Sequence, residues 1–368
     1  MKITATAPQG TVKPKPGAVA ERAPKSRKPS RALVSLFCGP GGFDAGFRQA
    51  GFTSILAIDA QLSACQTFEH NYPETAVFQE DLSSLKRGYI SARLSELNLD
   101  QTPVGVIGGP PCQAFSQSNG FKTEEDPRAK LPKHYALILK EMNVTMGLDF
   151  FVFENVLGIK QKQHETVFKN FKRLFRAAGF NIFEGELNAA DFGVPQIRKR
   201  VFIVGLNRSK YPDVKFVFPD PLTDPRVTVR DKIHKLPKPT HFERGLTPEQ
   251  IAHHPNHWCM QPRSPRFTNG TLKEGQITGR PFRVLSWDKP SWTVAYGHRE
   301  VHVHPSGKRR LSVYEAMMLQ GFPKDYELKG TLSDQIRMVS DAVSPPVAFA
   351  LAKAILRTLD HNQTPKTK

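Results

Sequence analysis

The chain is predicted to be an α/β protein, a doubly wound, mostly parallel sheet with a smaller irregular domain. Three observations predict it. Short apolar runs alternate with amphipathic stretches from Arg31 to about Asn207. The first run ends in Gly39-Pro40-Gly41-Gly42 and opens a helix, the context of a nucleotide-binding turn. After Asn207 the texture changes: residues 212–290 hold many prolines, scattered aromatics and basic residues with weak periodicity.

Each element follows from its own pattern. Ala32–Phe37 is the first strand and Asp44–Ala50 the first helix; Ser54–Ile58 and a helix from Leu62 to Asn71 come next. Later strands are Ala76–Gln79, Val104–Ile107, Phe150–Phe153, Asn181–Leu187 and Val201–Leu206, with helices over His134–Met146 and His164–Ala178. Helical texture returns at Ser312–Leu319 and Pro346–Leu359. Residues 1–30, rich in Pro, Ala and Lys without apolar periodicity, are expected to be a disordered basic tail. The main domain is expected over 31–210, completed by 330–360, and the small domain over 211–329.

At 368 residues the chain can bury a sizeable core. Hydrophobic content of 39% and the lack of a long apolar stretch argue against a membrane span. There is no apolar h-region near the N-terminus. Cys38, Cys65, Cys112 and Cys259 are far apart with no C-x-x-C, which argues for reduced thiols and a cytoplasmic location. Net charge is +18, from 52 basic and 34 acidic residues. Residues 1–31 carry eight Lys or Arg against Glu21, a net of +7 that leaves +11 on the body. A body this basic predicts a polyanionic partner, nucleic acid above all. The tail's prolines at 8, 14, 16, 24 and 29 oppose an amphipathic transit helix, so a DNA-tethering arm is the better reading.

Several groups carry chemistry. Pro110-Pro111-Cys112-Gln113 follows the strand at 104–107, which places Cys112 at the ligand-binding edge of an open sheet. Most buried cysteines only pack, but a thiolate there suits attack on an electron-poor ring carbon. The glycine turn lets backbone approach a ligand closely. Asp59 ends the next strand, 20 residues after Gly39, and can accept from ribose hydroxyls; Asp81 follows the third strand and can accept from an adenine amino group. Asp44 stands where a dinucleotide fingerprint has its third glycine, so a mononucleoside cofactor fits better than NAD. Glu154 ends a very apolar strand; either it caps the next helix or burial raises its pKa so that it can donate a proton. Arg198 and Arg200, on alternate strand positions, share a face suited to a phosphate, carboxylate or carbonyl oxygen, or else form a solvated basic edge. His253, His254, His257 and Cys259, with His298, His302 and His304 beyond, are the only metal-like cluster. No paired C-x-x-C accompanies them, no metal is expected, and contact with DNA backbone is the better reading.

In order along the chain, the glycine turn 39–42, Pro110-Pro111-Cys112-Gln113, Glu154-Asn155-Val156 and Gln196-x-Arg198-x-Arg200 resemble the motifs of the DNA cytosine-5 methyltransferases of bacterial restriction–modification type. Arg283-Val284-Leu285-Ser286-Trp287, Pro290-Ser291-Trp292-Thr293, Arg310-Leu311-Ser312-Val313 with Glu315-Ala316, Gln320-Gly321-Phe322-Pro323 and Ala342-Val343-Ser344-Pro345-Pro346 extend the likeness over about 31–358. One departure is Ser340-Asp341, where the family usually has Gly-Asn.

The resemblance implies a Rossmann-like S-adenosylmethionine-dependent methyltransferase that flips cytosine from double-stranded DNA. It implies Cys112 as the nucleophile toward C6, Glu154 at N3, Arg200 at the cytosine O2 and Arg198 as a brace. On the cofactor side it places Phe37 against the adenine, with Gly39, Gly41, Gly42, Asp59, Asp81, Pro110, Asp341 and Ala342 around the ligand. Asp341 near the amino-acid end would attract its ammonium and repel its carboxylate. The polar, glycine-containing stretch 114–132 suits a loop closing over the flipped base, with Gln113, Ser116, Ser118 and Arg128 on DNA. Residues 212–290 would carry target recognition, with Arg226, Arg230, Arg263 and Arg266 as base or phosphate contacts. A cognate restriction endonuclease and a monomeric state are the remaining expectations. The alternatives are a transfer-RNA methyltransferase, whose relatives carry a Cys-Phe-Thr motif absent here, and an inactive DNA-binding protein, which should have lost Cys112 or Glu154.

Overall fold

Apolar runs form the central strands, which are buried on both faces, the mark of a mostly parallel sheet covered by helices. The computed structural model describes residues 31–99, 101–110, 131–222, 226–278, 282–293 and 302–363. The first half runs β1 (Arg31–Leu36), α1 (Gly42–Ala50), β2 (Phe52–Asp59), α2 (Leu62–Asn71), β3 (Ala76–Gln79), α3 (Tyr89–Glu96), β4 (Gly105–Gly108), α4 (Leu131–Met146) and β5 (Phe150–Val156). Then come α5 (Glu165–Ala177), β6 (Phe180–Asn188), β7 (Gln196–Ile197), β8 (Lys199–Asn207), α6 (Val229–Ile233), β9 (Thr240–His241), β10 (Trp258–Cys259), β11 (Ser291–Trp292), α7 (Val313–Gln320), α8 (Leu332–Asp341) and α9 (Pro345–Gln363).

Seven strands form the central sheet in the order β3-β2-β1-β4-β5-β8-β6. β1 to β5 are mutually parallel, and β8 runs antiparallel between β5 and β6. Strand order reverses at the β1–β4 pair, so a crevice opens beyond their carboxyl ends. Alternation along β5 divides the core. Phe150 and Val152 pack with Phe43, Phe47 and the α9 residues Val347, Ala348 and Leu351, whereas Phe151 and Phe153 pack with Tyr135, Phe168 and Phe175 of α4 and α5. Gly46 brings α1 against α9: a Cβ there would lie 2.5 Å from the Ala348 Cβ. A third cluster joins Phe68 of α2, Trp258, Tyr314 and Met317 of α7, and Ile336 of α8.

The observed elements differ from expectation in several places, of which four matter most. β5 continues through Val156, so Glu154 and Asn155 lie inside a paired strand rather than past its end. α3 was not expected; only Ile90 of its residues is buried, which leaves almost no apolar periodicity to read. α8 was not expected either, although Thr331 and Asp334 form a capping box at its start. The stretch Leu332–His361 is long and apolar enough to cross a membrane by composition, contrary to the expectation that no such stretch exists. It is two helices, α8 and α9, and most of its apolar surface is buried in the protein.

Candidate active site

The carboxyl ends of β1 to β5 surround a hollow of about 320 Å³, within the range of small-molecule sites. Its floor begins at β1. Phe37 and Gly39 both take left-handed backbone (φ +53° and +54°), a conformation that costs a residue with a Cβ about 1 kcal/mol or more. The turn is pinned by the Cys38 amide donating to the Ile58 carbonyl (3.1 Å) and the Gly39 amide donating to Asp59 Oδ2 (2.9 Å). Asp59 Oδ1 accepts from the Gln61 amide (2.9 Å), and burial still holds its carboxyl above the ordinary value. Phe37, Gly39, Asp59 and Asp81 line the hollow. Asp81 is exposed at the rim, its Oδ1 accepting from the Ser83 amide (2.8 Å).

Gly41 and Gly42 do not line it. A Cβ on Gly41 would lie 2.6 Å from the Tyr326 hydroxyl, and one on Gly42 2.5 Å from the Val343 carbonyl. These two glycines let the turn pack on its neighbours, and Tyr326 Oη donates to the Pro40 carbonyl above them. Cys38 lines the hollow too, but burial and the nearby Asp59 push its thiol well up, so it is a poor nucleophile.

Glu154 forms the opposite wall. Its carboxylate is buried, and Oε1 lies 3.1 Å from Arg200 Nε. Desolvation raises its pKa, with Arg200 and then Arg198 acting against the rise. The pairing follows from topology: β8 runs antiparallel beside β5, with Arg200 opposite Val156. Gly109 makes the room, since a Cβ there would sit 2.8 Å from Glu154 Oε2. Asn155 Nδ2 donates to the Pro110 carbonyl (3.3 Å) and so fixes the backbone just past β4. Cys112, Gln113, Ser116, Ser118 and Arg128 lie outside the described residues.

Arg198 is buried just before β8 and points elsewhere than Arg200. Its Nη2 donates to the carbonyls of Ala342 (2.8 Å) and Asp341 (3.4 Å). The Ala342 carbonyl also accepts from Gln320 Nε2 (2.7 Å), and Ser344 Oγ donates to the Gln320 carbonyl (2.7 Å). Gln320 in turn ends α7, whose start is a capping box between Ser312 and Glu315. Glu315 is fully buried and accepts both terminal nitrogens of Arg309 at 2.7 Å each. Ser291 Oγ and Thr293 Oγ1 donate to the carbonyls of Pro195 (2.9 Å) and Ile197 (2.7 Å), tying β11 to β7. The motifs after 196 therefore brace the segment 341–344, which carries Asp341 and Ala342 into the hollow.

Residues 32–357 match the model of the C-5 cytosine-specific DNA methylase family. The chain belongs to that family. This DNA methylase is 34% identical over 350 residues to the Type II methyltransferase M.MthTI of Methanothermobacter thermautotrophicus, covering 89% of this chain and 98% of that one. It is 32% identical to M.FnuDI of Fusobacterium nucleatum, covering 89% and 94%. A crystal structure described as a prophage-encoded DNA modification methyltransferase (E. coli) shares the fold, with a TM-score of 0.74 at 24% identity over 90% of this chain and 100% of that one. The protein is thus a sequence-specific DNA cytosine-5 methyltransferase of the restriction–modification type, on the α/β fold expected from its sequence.

In this methylase the four arginines of the irregular region have different settings. Arg226 is paired with Asp191 (2.9 Å). Arg230 grips Asp288 through two nitrogens (2.6 and 3.1 Å) and lies over the Trp287 ring. Arg263 and Arg266 are exposed, Arg266 over the Phe282 ring. Of these histidines, His253 is exposed and His298 lies outside the described residues, whereas His254, His257, His302 and His304 are turned inward. His254 stacks on Tyr314 (4.1 Å between centroids), and His257 joins Ser312 Oγ and the Pro237 carbonyl (2.9 Å each). His302 and His304 are also buried, and desolvation lowers the pKa of both to about 4, which favours neutral rings over phosphate-binding cations. Among the described residues no three His, Cys, Asp or Glu side chains gather as metal ligands.

The sequence reading missed Gly109, whose role needs the position of Glu154, and Arg337, which lines the hollow from α8. The capping box at Thr331 and Asp334 was the available signal for the helix that carries Arg337.

Proposed function

We propose that the protein transfers a methyl group from S-adenosylmethionine to C5 of a flipped cytosine, with Cys112 as nucleophile and Glu154 as the proton-handling group. One observation carries the reading: the buried Glu154–Arg200 pair faces a hollow beside Pro110, whose carbonyl Asn155 holds two residues before Cys112. The residues present suit the cofactor. A Cβ on Gly39 would meet nothing within 4 Å, so that edge of the hollow stays open. Asp59, Glu80, Asp81, Glu154 and Asp341 line the hollow against Arg200 and Arg337. That balance favours a ligand with net positive charge, such as a sulfonium carrying an amino-acid end. Phe37 would lie on the adenine, Asp59 would bind the ribose and Asp81 the adenine amino group. When bound, S-adenosylmethionine supplies an electrophilic methyl.

The rest falls to this chain. The target base leaves the stack at a cost of a few kcal/mol, because a thiolate cannot reach C6 inside a duplex. The Cys112 thiolate adds to C6, and Glu154, whose hold on a proton is strengthened by burial, passes a proton to N3. Arg200 holds O2 through its remaining nitrogens and keeps Glu154 oriented. C5 thereby becomes nucleophilic and takes the methyl; a base such as water then takes the C5 proton, the C–H electrons re-form the C5–C6 double bond and expel the thiolate from C6, and N3 returns its proton to Glu154. Residues 212–290 are proposed to read the target, with Gln113, Ser116, Ser118 and Arg128 on the sugar–phosphate. The enzyme is proposed to act as a cytoplasmic monomer, with an endonuclease for the same sequence as partner. Conversion sequencing of DNA from cells expressing the chain, beside a Cys112→Ala control, tests this. Methylation at one fixed motif, lost in the control, is expected; methylation retained by the control would refute the mechanism.

A further inference from the structure

Asp341 and Arg337 lie four residues apart on α8, one turn along the same helix, and both line the hollow. The sequence has Asp341 where the family usually has asparagine, which adds a negative charge to a hollow already lined by Asp59 and Glu154. Alone, that change would repel the carboxylate of an amino-acid ligand. The guanidinium of Arg337 stands within electrostatic reach of both Asp341 and Asp59. Its ion pair among the described residues is with Asp334, at 3.2 Å through one terminal nitrogen on the exposed side of the helix. Exposed pairs of this kind are weak and easily exchanged. A planar guanidinium fork matches a carboxylate bidentately, which an ammonium or an amide cannot do.

We propose that Arg337 and Asp341 form a two-point reader of the amino-acid end of the cofactor, with Asp341 taking its ammonium and Arg337 its carboxylate. The inference rests on the reading of S-adenosylmethionine as the methyl donor. It makes Arg337 a specificity-determining residue that admits a zwitterionic end and compensates for the aspartate. A purely local role is the alternative: Arg337 would merely neutralise Asp59 and Asp341, and every nucleoside ligand would then respond alike to its loss.

Calorimetric titration of the full chain, without DNA, separates the two. The ligands are S-adenosylhomocysteine, its decarboxylated analogue and 5′-methylthioadenosine, which lacks the amino-acid end altogether. Arg337→Gln is expected to weaken S-adenosylhomocysteine about 10- to 100-fold, the range for a lost hydrogen bond to a charged group, and to leave both other ligands within about 2-fold. Arg337→Lys should recover part of the loss, which also guards against a folding defect. Asp341→Asn is expected to weaken both amine-bearing ligands and leave 5′-methylthioadenosine unchanged. Equal effects of Arg337→Gln on all three ligands, or none on S-adenosylhomocysteine, would overturn the proposal. If the unmodified chain bound none of them, the cofactor reading itself would fall, and the reader with it.

Discussion

Asp44 sits in the first turn of α1, almost fully buried, and accepts from Ser35 Oγ (3.0 Å) and Ser54 Oγ (2.5 Å) on β1 and β2. It fastens the helix to both strands beneath the glycine turn without any cation beside it among the hydrogen-bond partners described. Desolvation raises its pKa from 3.8 to about 6. The folded value thus lies above the unfolded one, so the carboxyl's contribution to stability is present below the unfolded pKa and is lost as pH rises through about 6. Integrating that difference gives a penalty of about 3 kcal/mol at neutral pH and about half as much near pH 5. Asp44→Asn removes the charge and keeps a carbonyl acceptor for one serine. Its stability relative to the parent chain should therefore rise between about pH 5 and 7.5, by roughly 1 to 1.5 kcal/mol. Urea denaturation of both chains at several pH values across this window measures it, since the midpoint shift at constant slope reads the difference directly. A difference that stays flat across the window, or that favours the aspartate increasingly as pH rises, would refute the reasoning.

Two further outcomes rest on other contacts. Gly109→Ala places a Cβ 2.8 Å from Glu154 Oε2, at the movable end of a side chain, so the fold should survive. Single-turnover methylation should fall about 100-fold, the order expected when a reacting group shifts by about 1 Å, while calorimetry still finds cofactor bound. Glu315→Gln leaves Arg309 with half of its bidentate partner in a buried setting and should cost about 3 to 5 kcal/mol in denaturant titrations. Because Arg309 lowers the pKa of Glu315, the parent chain loses that contribution as pH falls through the lowered value, whereas the variant does not titrate there.

The sheet was legible because strands buried on both faces read as unbroken apolar runs, and Ala76–Gln79 and the helix Leu62–Asn71 fall on their expected limits. α3 was not legible, since a helix that buries one residue writes almost no period into the sequence. Among candidate site residues, Asp59, Asp81, Pro110 and Glu154 could be placed together because each lies at or near the carboxyl end of one of the parallel strands. The Glu154–Arg200 pair could not be derived, because it depends on β8 entering antiparallel between β5 and β6, a choice that local pattern does not encode. Nor could the engagement of Arg226 and Arg230 with Asp191 and Asp288, which are 35 and 58 residues away. The burial of His254 and His257 was not legible for a related reason: Tyr314, brought in from α7, packs against both rings while His253 stays exposed.

The contact between α1 and α9 has a bearing on how the chain is made. One face of the sheet is covered by a helix from the beginning of the fold and another from its far end, with Arg31 of β1 joined to Asp360 (2.5 Å). Nearly the whole chain must leave the ribosome before that face is closed. At about 5 to 20 residues per second, the apolar row of Phe43, Phe47 and Phe52 waits roughly 15 to 60 s for its cover. During translation the half-built sheet therefore presents an apolar surface with no cover, open to contact with other chains.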